Sequence, residues 1–179
     1  MRLPQHQSLP LDSSPVQLTS FQVREGGKDL TPQNIAIGHD SIYVSFIGES
    51  LIQVYSPVLK QLGSLHFDRP AVIVPTAIAV TDSQLIIADT IKGLIAVFDN
   101  YGEYINSVAW YPGRSVRIQP TQIATDGKLL TVVDPKAAQV AIISLVNQQP
   151  FFDFLELVDL RPGEDHSILR EPRSACIPP

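Results

Sequence analysis

A repeat with a period of 43 to 45 residues organises this sequence. Pro32, Pro75 and Pro120 mark its three copies, which begin 43 and 45 residues apart. Counting forward from each Pro, similar apolar residues recur at the same offsets without a gap. The matching sets include Ile35, Ile78 and Ile123; Ala36, Ala79 and Ala124; Val44, Ile87 and Val132; and Val54, Val97 and Ile142. Such a chain must stack like units, because a single unit cannot bury its own apolar faces.

Each copy is predicted to form four short antiparallel strands. The apolar runs are rich in Ile, Val, Leu and Thr, and polar turns such as Thr81-Asp82-Ser83-Gln84 separate them. The fourth run alternates apolar and polar residues, as expected of an outer strand with one face in water. A period of about 40–45 residues with four strands is typical of a β-propeller blade. The sequence therefore predicts an all-β fold, a β-propeller with four-stranded antiparallel blades at about 31–73, 74–118 and 119–160.

The clearest copy, VPTAIAVTDSQLIIADTIKGLIAVFDNYGEY at residues 74–104, resembles an NHL repeat. The matching positions are Pro75, Ala88-Asp89, Val97-Phe98-Asp99 and Gly102 in copy two; Pro120, Val133-Asp134 and Ile142 in copy three; and Pro32 and Val54-Tyr55 in copy one. Copy one has Phe46 where that family's pattern has Asp. The resemblance covers about residues 31–160, and it implies a propeller ring, most often of six blades.

Three blades leave such a ring open, with two apolar blade faces in water. The chain is therefore predicted to need a partner. It could pair with itself as a homodimer of two half-rings, complete another protein's propeller, or be a fragment of a longer chain. Residues 15–24 are predicted to form an extra outer strand, so the partial propeller would span 15–168, between flexible segments at 1–14 and 169–179.

One face of the predicted propeller carries the turns between the second and third strands and the connections between blades. The charged candidates for ligand binding on this face are Glu49, Lys92, Arg114 and Arg117. Asp89 and Asp134 recur at the same strand end in two copies. Because an Asp in that position usually accepts backbone N–H bonds, both are interpreted as structural turn residues rather than acid/base groups.

The predicted function is a non-catalytic NHL-like module that serves as a protein-interaction or assembly scaffold. The resemblance also implies an alternative, a subunit or fragment of a propeller hydrolase or lyase of the lactonase or strictosidine-synthase type. Such an enzyme would hold an axial divalent cation, for which Asn34, Glu49 and Asp89 would be the candidates. No metal-binding motif supports them, and the prediction includes neither a metal nor a cofactor.

Charge and hydropathy bound the partners. A net charge of -5 does not fit nucleic-acid binding, which needs a basic surface. No window reaches the roughly 18 apolar residues of a membrane span, so no membrane partner is predicted. The lone Cys176 lies in the tail and is interpreted as an inert thiol. If Met1 is the native start, the predicted location is the cytoplasm, since residues 1–17 lack a signal sequence.

Overall fold

The structure is a computed structural model that describes residues 22–38, 40–67, 73–111, 115, 117–145 and 153–159. Its strands are β1 (Arg24–Glu25), β2 (Lys28–Asp29), β3 (Pro32–Ile37), β4 (Ile42–Phe46), β5 (Leu51–Tyr55), β6 (Gln61–His66), β7 (Ala77–Val80), β8 (Gln84–Asp89), β9 (Leu94–Asp99), β10 (Tyr104–Val108), β11 (Gln122–Thr125), β12 (Leu129–Asp134), β13 (Gln139–Ser144) and β14 (Asp153–Asp159). β1 and β2 form a small hairpin, and the other strands form three four-stranded antiparallel sheets. The all-β prediction is confirmed.

Each four-stranded sheet is one copy of the repeat. Blade 1 is β3–β6, blade 2 is β7–β10 and blade 3 is β11–β14, and in each blade the strands are hydrogen-bonded in sequence order. The inner strands β3, β7 and β11 lie side by side, with β7 in the middle. The repeat sequence therefore folds as three consecutive blades packed around a common side.

The strand period of two gives each blade two apolar faces. We call the face toward the preceding blade the leading face and the face toward the following blade the trailing face. In blade 2, Ile78 and Ile87 belong to the leading face and pack against blade 1. Ala79 and Ile86 alternate with them on the trailing face and pack against blade 3. The two main hydrophobic cores of the protein are thus the two junctions between blades.

Each blade is preceded by a lead-in segment that ends just before the Pro of the repeat. Leu30, Ile73 and Ile118 are the apolar residues two positions before each Pro, and they are 8%, 3% and 0% exposed. Their N–H groups donate to the carbonyls of Val23 at 2.9 Å, Phe67 at 2.9 Å and Ala109 at 3.1 Å. A backbone hydrogen bond of the same kind therefore closes the lead-in segment of all three blades.

The lead-in segment of blade 1 contains a short hairpin. The extra outer strand was predicted over 15–24, but residues 1–21 lie outside the described part. In that part, β1 begins only at Arg24 and pairs back on β2, with Arg24 opposite Asp29. The hairpin turns at Gly26 and Gly27, whose φ angles of 57° and 84° suit glycine. The predicted flexible ends at 1–14 and 169–179 also lie outside the described residues.

Candidate functional site

Two of the predicted loop-face residues, Lys92 and Arg117, come together at the junction of blades 2 and 3. Lys92 lies in the turn between β8 and β9, and Arg117 lies in the lead-in segment of blade 3. The guanidinium Nη1 of Arg117 donates to the carbonyl of Lys92 at 2.7 Å. The Cζ atom of the same guanidinium lies 5.5 Å from the ring centroid of Trp110, which pairs with Arg117 in an isolated β-bridge. This arginine therefore ties the turn of one blade to the segment that leads into the next.

Glu49 makes the corresponding contact in blade 1. It lies in the turn between β4 and β5, and its carboxylate forms an ion pair with the ammonium of Lys28 on the lead-in hairpin. Both side chains keep contact with water, so the pair contributes little to stability. The fourth candidate, Arg114, lies outside the described residues.

Asp89 and Asp134 are both buried, and both carboxylates accept backbone N–H bonds. Oδ1 of Asp89 accepts from Lys92 N at 2.8 Å within its own turn, and Oδ2 accepts from Val74 N at 3.0 Å. Asp134 repeats this arrangement with Ala137 N at 2.9 Å and Gln119 N at 2.7 Å. Each carboxylate thus joins a turn to the residue just before the repeat Pro of the same blade.

Blade 1 closes the corresponding turn without a buried carboxylate. Phe46 takes the position of the two aspartates and is 0% exposed. It packs with Leu30 and Leu51 in a third, smaller core, and the N–H of Ile47 donates to the carbonyl of Thr31 at 2.9 Å. The departure from the repeat pattern at Phe46 therefore leaves the turn closed.

The residues named for an axial cation are engaged elsewhere. Oδ1 of Asn34 accepts from the N–H of Ile78 at 3.2 Å, which joins the inner strands of blades 1 and 2. Asp89 is 0% exposed with both oxygens on N–H groups, and Glu49 pairs with Lys28. Within the described ranges, no three His, Cys, Asp or Glu side chains are grouped as metal ligands would be.

A polar cleft of about 420 Å³ lies at the end of the inner strands that is opposite to the loop face. It was not predicted from the sequence. It is lined by the first turn of every blade, including Gly38, Asp82 and Asp126. The backbone N–H groups of Leu129 and Lys128, with smaller electrostatic help from the lysine charge, lower the pKa of Asp126. An Asp in the first turn of every copy, at 40, 82 and 126, was the available signal.

The most unusual surfaces are the outward faces of the first and last blades. Ile78 is 3% exposed on the leading face of blade 2, whereas its repeat equivalent Ile35 is 61% exposed on the leading face of blade 1. Ile37, on the same face, is 75% exposed. On the trailing faces, Ala79 of blade 2 is buried, whereas its equivalent Ala124 of blade 3 is exposed. Positions that are core at the internal junctions are therefore open at both ends.

The open trailing face of blade 3 extends over three strands. The registers place Ala124 beside Thr131, and Thr131 beside Ile142. Val140 lies on the same face, two residues before Ile142. Thr131, Val140 and Ile142 are half-buried, while the matching residues of blade 2, Ile86, Ile95 and Val97, are 0%, 1% and 6% exposed. A contiguous apolar strip is the surface left uncovered.

Comparisons with known proteins agree with this geometry. Neither a family model nor a curated protein sequence matches the chain. Among solved structures it is similar to the Cps50 (Swd1) beta-propeller domain of Myceliophteria thermophila, with a TM-score of 0.52 and 9% identity over 76% of this chain and 41% of that chain. This chain is a partial β-propeller.

Two further propellers show the same likeness. Hsv2 of Kluyvelomyces marxianus has a TM-score of 0.54 and 13% identity, over 75% of this chain and 48% of that one. A virginiamycin B lyase from Staphylococcus aureus has a TM-score of 0.54 and 17% identity, over 73% and 42%. This chain spans between 36% and 56% of the length of several solved structures to which it is similar. At such identities the likeness shows the fold alone, since one fold serves many functions. No helix in the described ranges is long and apolar enough to cross a bilayer.

Proposed function

We propose that this chain is a non-catalytic, NHL-like β-propeller module that binds protein through its two open blade faces. One observation carries the proposal: equivalent repeat positions are buried inside the molecule and exposed at its ends. Ile35 and Ile37 are 61% and 75% exposed, although their equivalents Ile78 and Val80 contribute to a core. Contiguous exposed apolar surface of this kind marks interaction sites in soluble proteins.

The energetics favour a protein occupant over a small molecule. Fully burying an Ile or Val side chain is worth about 1.5–3 kcal/mol. The leading face offers Ile35 and Ile37, and the trailing face offers the half-buried Val140 and Ile142. These side chains project from strands, and of the four only Ile37 also lines the polar cleft. A protein that covers these strands would therefore gain apolar burial that offsets part of the cost of association.

The charged residues of the loop face are proposed to form a polar rim where the partner extends over that face, and of those described only Glu49 lies beside an open blade face. Glu49 lies where blade 1 meets its lead-in hairpin, and Lys92 and Arg117 lie at the junction of blades 2 and 3. Arg114, in the same segment as Arg117, is proposed for the same role. Rim charges of this kind set the orientation and rate of association more than its affinity.

The alternative of a propeller hydrolase or lyase gains less support. Asn34, Glu49 and Asp89 would have to give up existing hydrogen bonds or an ion pair to hold a cation. Some of the similar propellers, such as the virginiamycin B lyase, are named as enzymes. Their activity comes from sites, and it is not transferred with the fold.

Nucleic acid and membranes are not proposed as partners. The net charge of -5 supports a partner that is neither nucleic acid nor an anionic membrane. The cytoplasmic location stays a prediction that rests on Met1 being the native start.

Hydroxyl-radical footprinting tests the proposed function directly. The pure chain, and the tagged chain in an extract of the cells that make it, would be oxidised in parallel and the modification read by mass spectrometry. We expect Ile35 and Ile37 to be protected in at least one preparation relative to a dilute sample of the pure chain. Val58, which is 84% exposed on a turn at the outer rim, is the internal control and should be modified equally throughout. Equal oxidation of all three in every preparation would overturn the proposal.

A further inference from the structure

The two open faces are of complementary types. At the first internal junction, Ala36 on the trailing face of blade 1 packs in the same core as Ile78 on the leading face of blade 2. At the second, Ala79 packs in the same core as Ile123. The repeat equivalents that have no neighbouring blade are Ala124, on the trailing face of blade 3, and Ile35, on the leading face of blade 1. A third junction of the same kind could therefore form between these faces.

The lead-in hairpin of blade 1 shows which part of a neighbour is missing. It already covers the outer part of the leading face, where Gln53 is buried. Nε2 of Gln53 donates to the carbonyl of Arg24 at 3.2 Å and to the Glu25 carboxylate at 2.9 Å. Leu30 packs on the same side. The surface that stays open is the inner part around Ile35 and Ile37, which the strands of a preceding blade cover at the internal junctions.

We propose that a second copy of this chain fills both faces, with blade 3 of each copy packed on blade 1 of the other. This inference rests on the proposed function and names its partner. The two copies would be related by a two-fold axis along the centre of the ring, so that both new junctions are identical and no open face is left. The chain covers between 36% and 56% of the length of the similar solved structures named above and of others like them, so two copies are of the order of one whole structure of that kind.

The oligomeric state of the full chain is the first test. Light scattering after size-exclusion chromatography, over about 1–100 µM protein, should give a mass near twice 19.7 kDa. A mass of one chain across this range, with a native circular dichroism spectrum, would overturn the second-copy inference. The footprinting experiment in extract would still decide the proposed function, because protection there by another protein would support it.

Two variants test whether the junction is head to tail. Ile35→Glu places a carboxylate on the leading face, and Ala124→Lys places an ammonium on the trailing face. Both positions are exposed in the single chain, so each variant should fold, which circular dichroism checks. Each variant alone should weaken the dimer by about 100-fold, because an unpaired charge would be buried at both junctions. Val58→Glu, on the outer rim, is the matched control and should leave the dimer unchanged.

Mixing the two variants gives the decisive result. A mixed dimer has one unaltered junction, and at the other junction the introduced carboxylate faces the introduced ammonium. We therefore expect the mixture to recover a dimer that neither variant forms alone, detected by native mass spectrometry as the mass of one copy of each. Failure of the folded variants to recover a mixed dimer, or full dimerisation of either variant alone, would overturn the head-to-tail arrangement.

Discussion

The buried carboxylate of Asp89 offers the sharpest test of how a blade is closed. It is 0% exposed, and it accepts N–H bonds from Lys92 in its own turn and from Val74 just before the repeat Pro. Asp89→Ala would remove both acceptors and leave two backbone donors at a partly buried site. Water has limited access there because Ala88 and Ile87, the preceding strand residues, are also 0% exposed.

The expected magnitude follows from those two donors. A buried donor left without an acceptor costs about 1–3 kcal/mol, so we expect Asp89→Ala to lower the free energy of unfolding by about 4 kcal/mol. Asp89→Asn keeps one oxygen acceptor but presents an amide donor at the other position, so about 2 kcal/mol should be lost. Since a typical domain is stable by only about 5–15 kcal/mol, the Ala variant should lose between roughly a quarter and four fifths of that stability.

Urea unfolding followed by circular dichroism measures this loss. Asp99→Ala is the matched control, because its Oδ1 also accepts two backbone N–H bonds, from Tyr101 at 2.8 Å and Glu103 at 2.9 Å, but in an exposed turn. Water can replace that acceptor, so the control should lose no more than about 1 kcal/mol. Equal losses for Asp89→Ala and Asp99→Ala would refute the argument that burial of the donors sets the cost.

Three further predictions follow from the same structure. Gly93→Ala should lower the free energy of unfolding by more than about 3 kcal/mol, since the new Cβ would lie 2.5 Å from the carbonyl oxygen of Ile118. Gly127→Ala is the control: its φ is also positive, but no atom lies within 4 Å of the new Cβ, so the same urea assay should show a loss of only about 1 kcal/mol. Burial, and then a neighbouring glutamate charge, raise the pKa of Tyr55 above 10.0, so the free energy of unfolding should fall as pH rises above that value. The difference in ultraviolet absorbance between wild type and Tyr55→Phe follows the ionisation of this one tyrosine, and a difference signal that titrates at or below pH 10.0 would contradict the prediction. The pKa of Asp126, lowered below 3.8 by backbone N–H donors of its turn, should make this group's contribution to stability fall only below that pH; a carboxyl-detected NMR titration that finds 3.8 or higher would contradict it.

The strands were predictable because each repeat copy carries its own local signals. In blade 2, β7 begins two residues after Pro75, and β8 ends at Asp89, as the opening repeat pattern indicated. The fourth run of blade 3, predicted as an outer strand, forms β14 at Asp153–Asp159. These elements follow from strand periodicity and turn residues, which are properties of the chain at short range.

The lead-in segment of blade 1 contains a feature that local sequence signals do not specify. The extra outer strand predicted over 15–24 lies mostly outside the described residues and stays a prediction. In the structure the chain reverses at Gly26-Gly27, and Leu30 packs against Phe46 and Leu51. This contact joins residues distant in sequence, so only packing could select the hairpin over a longer strand.

The candidate site shows the same difference between local sequence signals and contacts that depend on packing. Asp89 and Asp134 were interpreted as turn residues from their position, and their second bonds, to Val74 and Gln119, cross from one segment to another and were not foreseen. Likewise, the sequence named Lys92 and Arg117 as residues of one face, and the structure gave their contact.

The sequence by itself determined that three like units exist, that each is four antiparallel strands, and that a chain of three such units leaves apolar faces without neighbours. These conclusions need only periodicity, because the period of two and the repeat length are written along the chain. The tertiary structure decided which alternating positions belong to which face, and that Ile35 and Ala124 are the exposed counterparts of Ile78 and Ala79. Burial depends on what lies across a junction, and a neighbour in space has no signature in the local sequence.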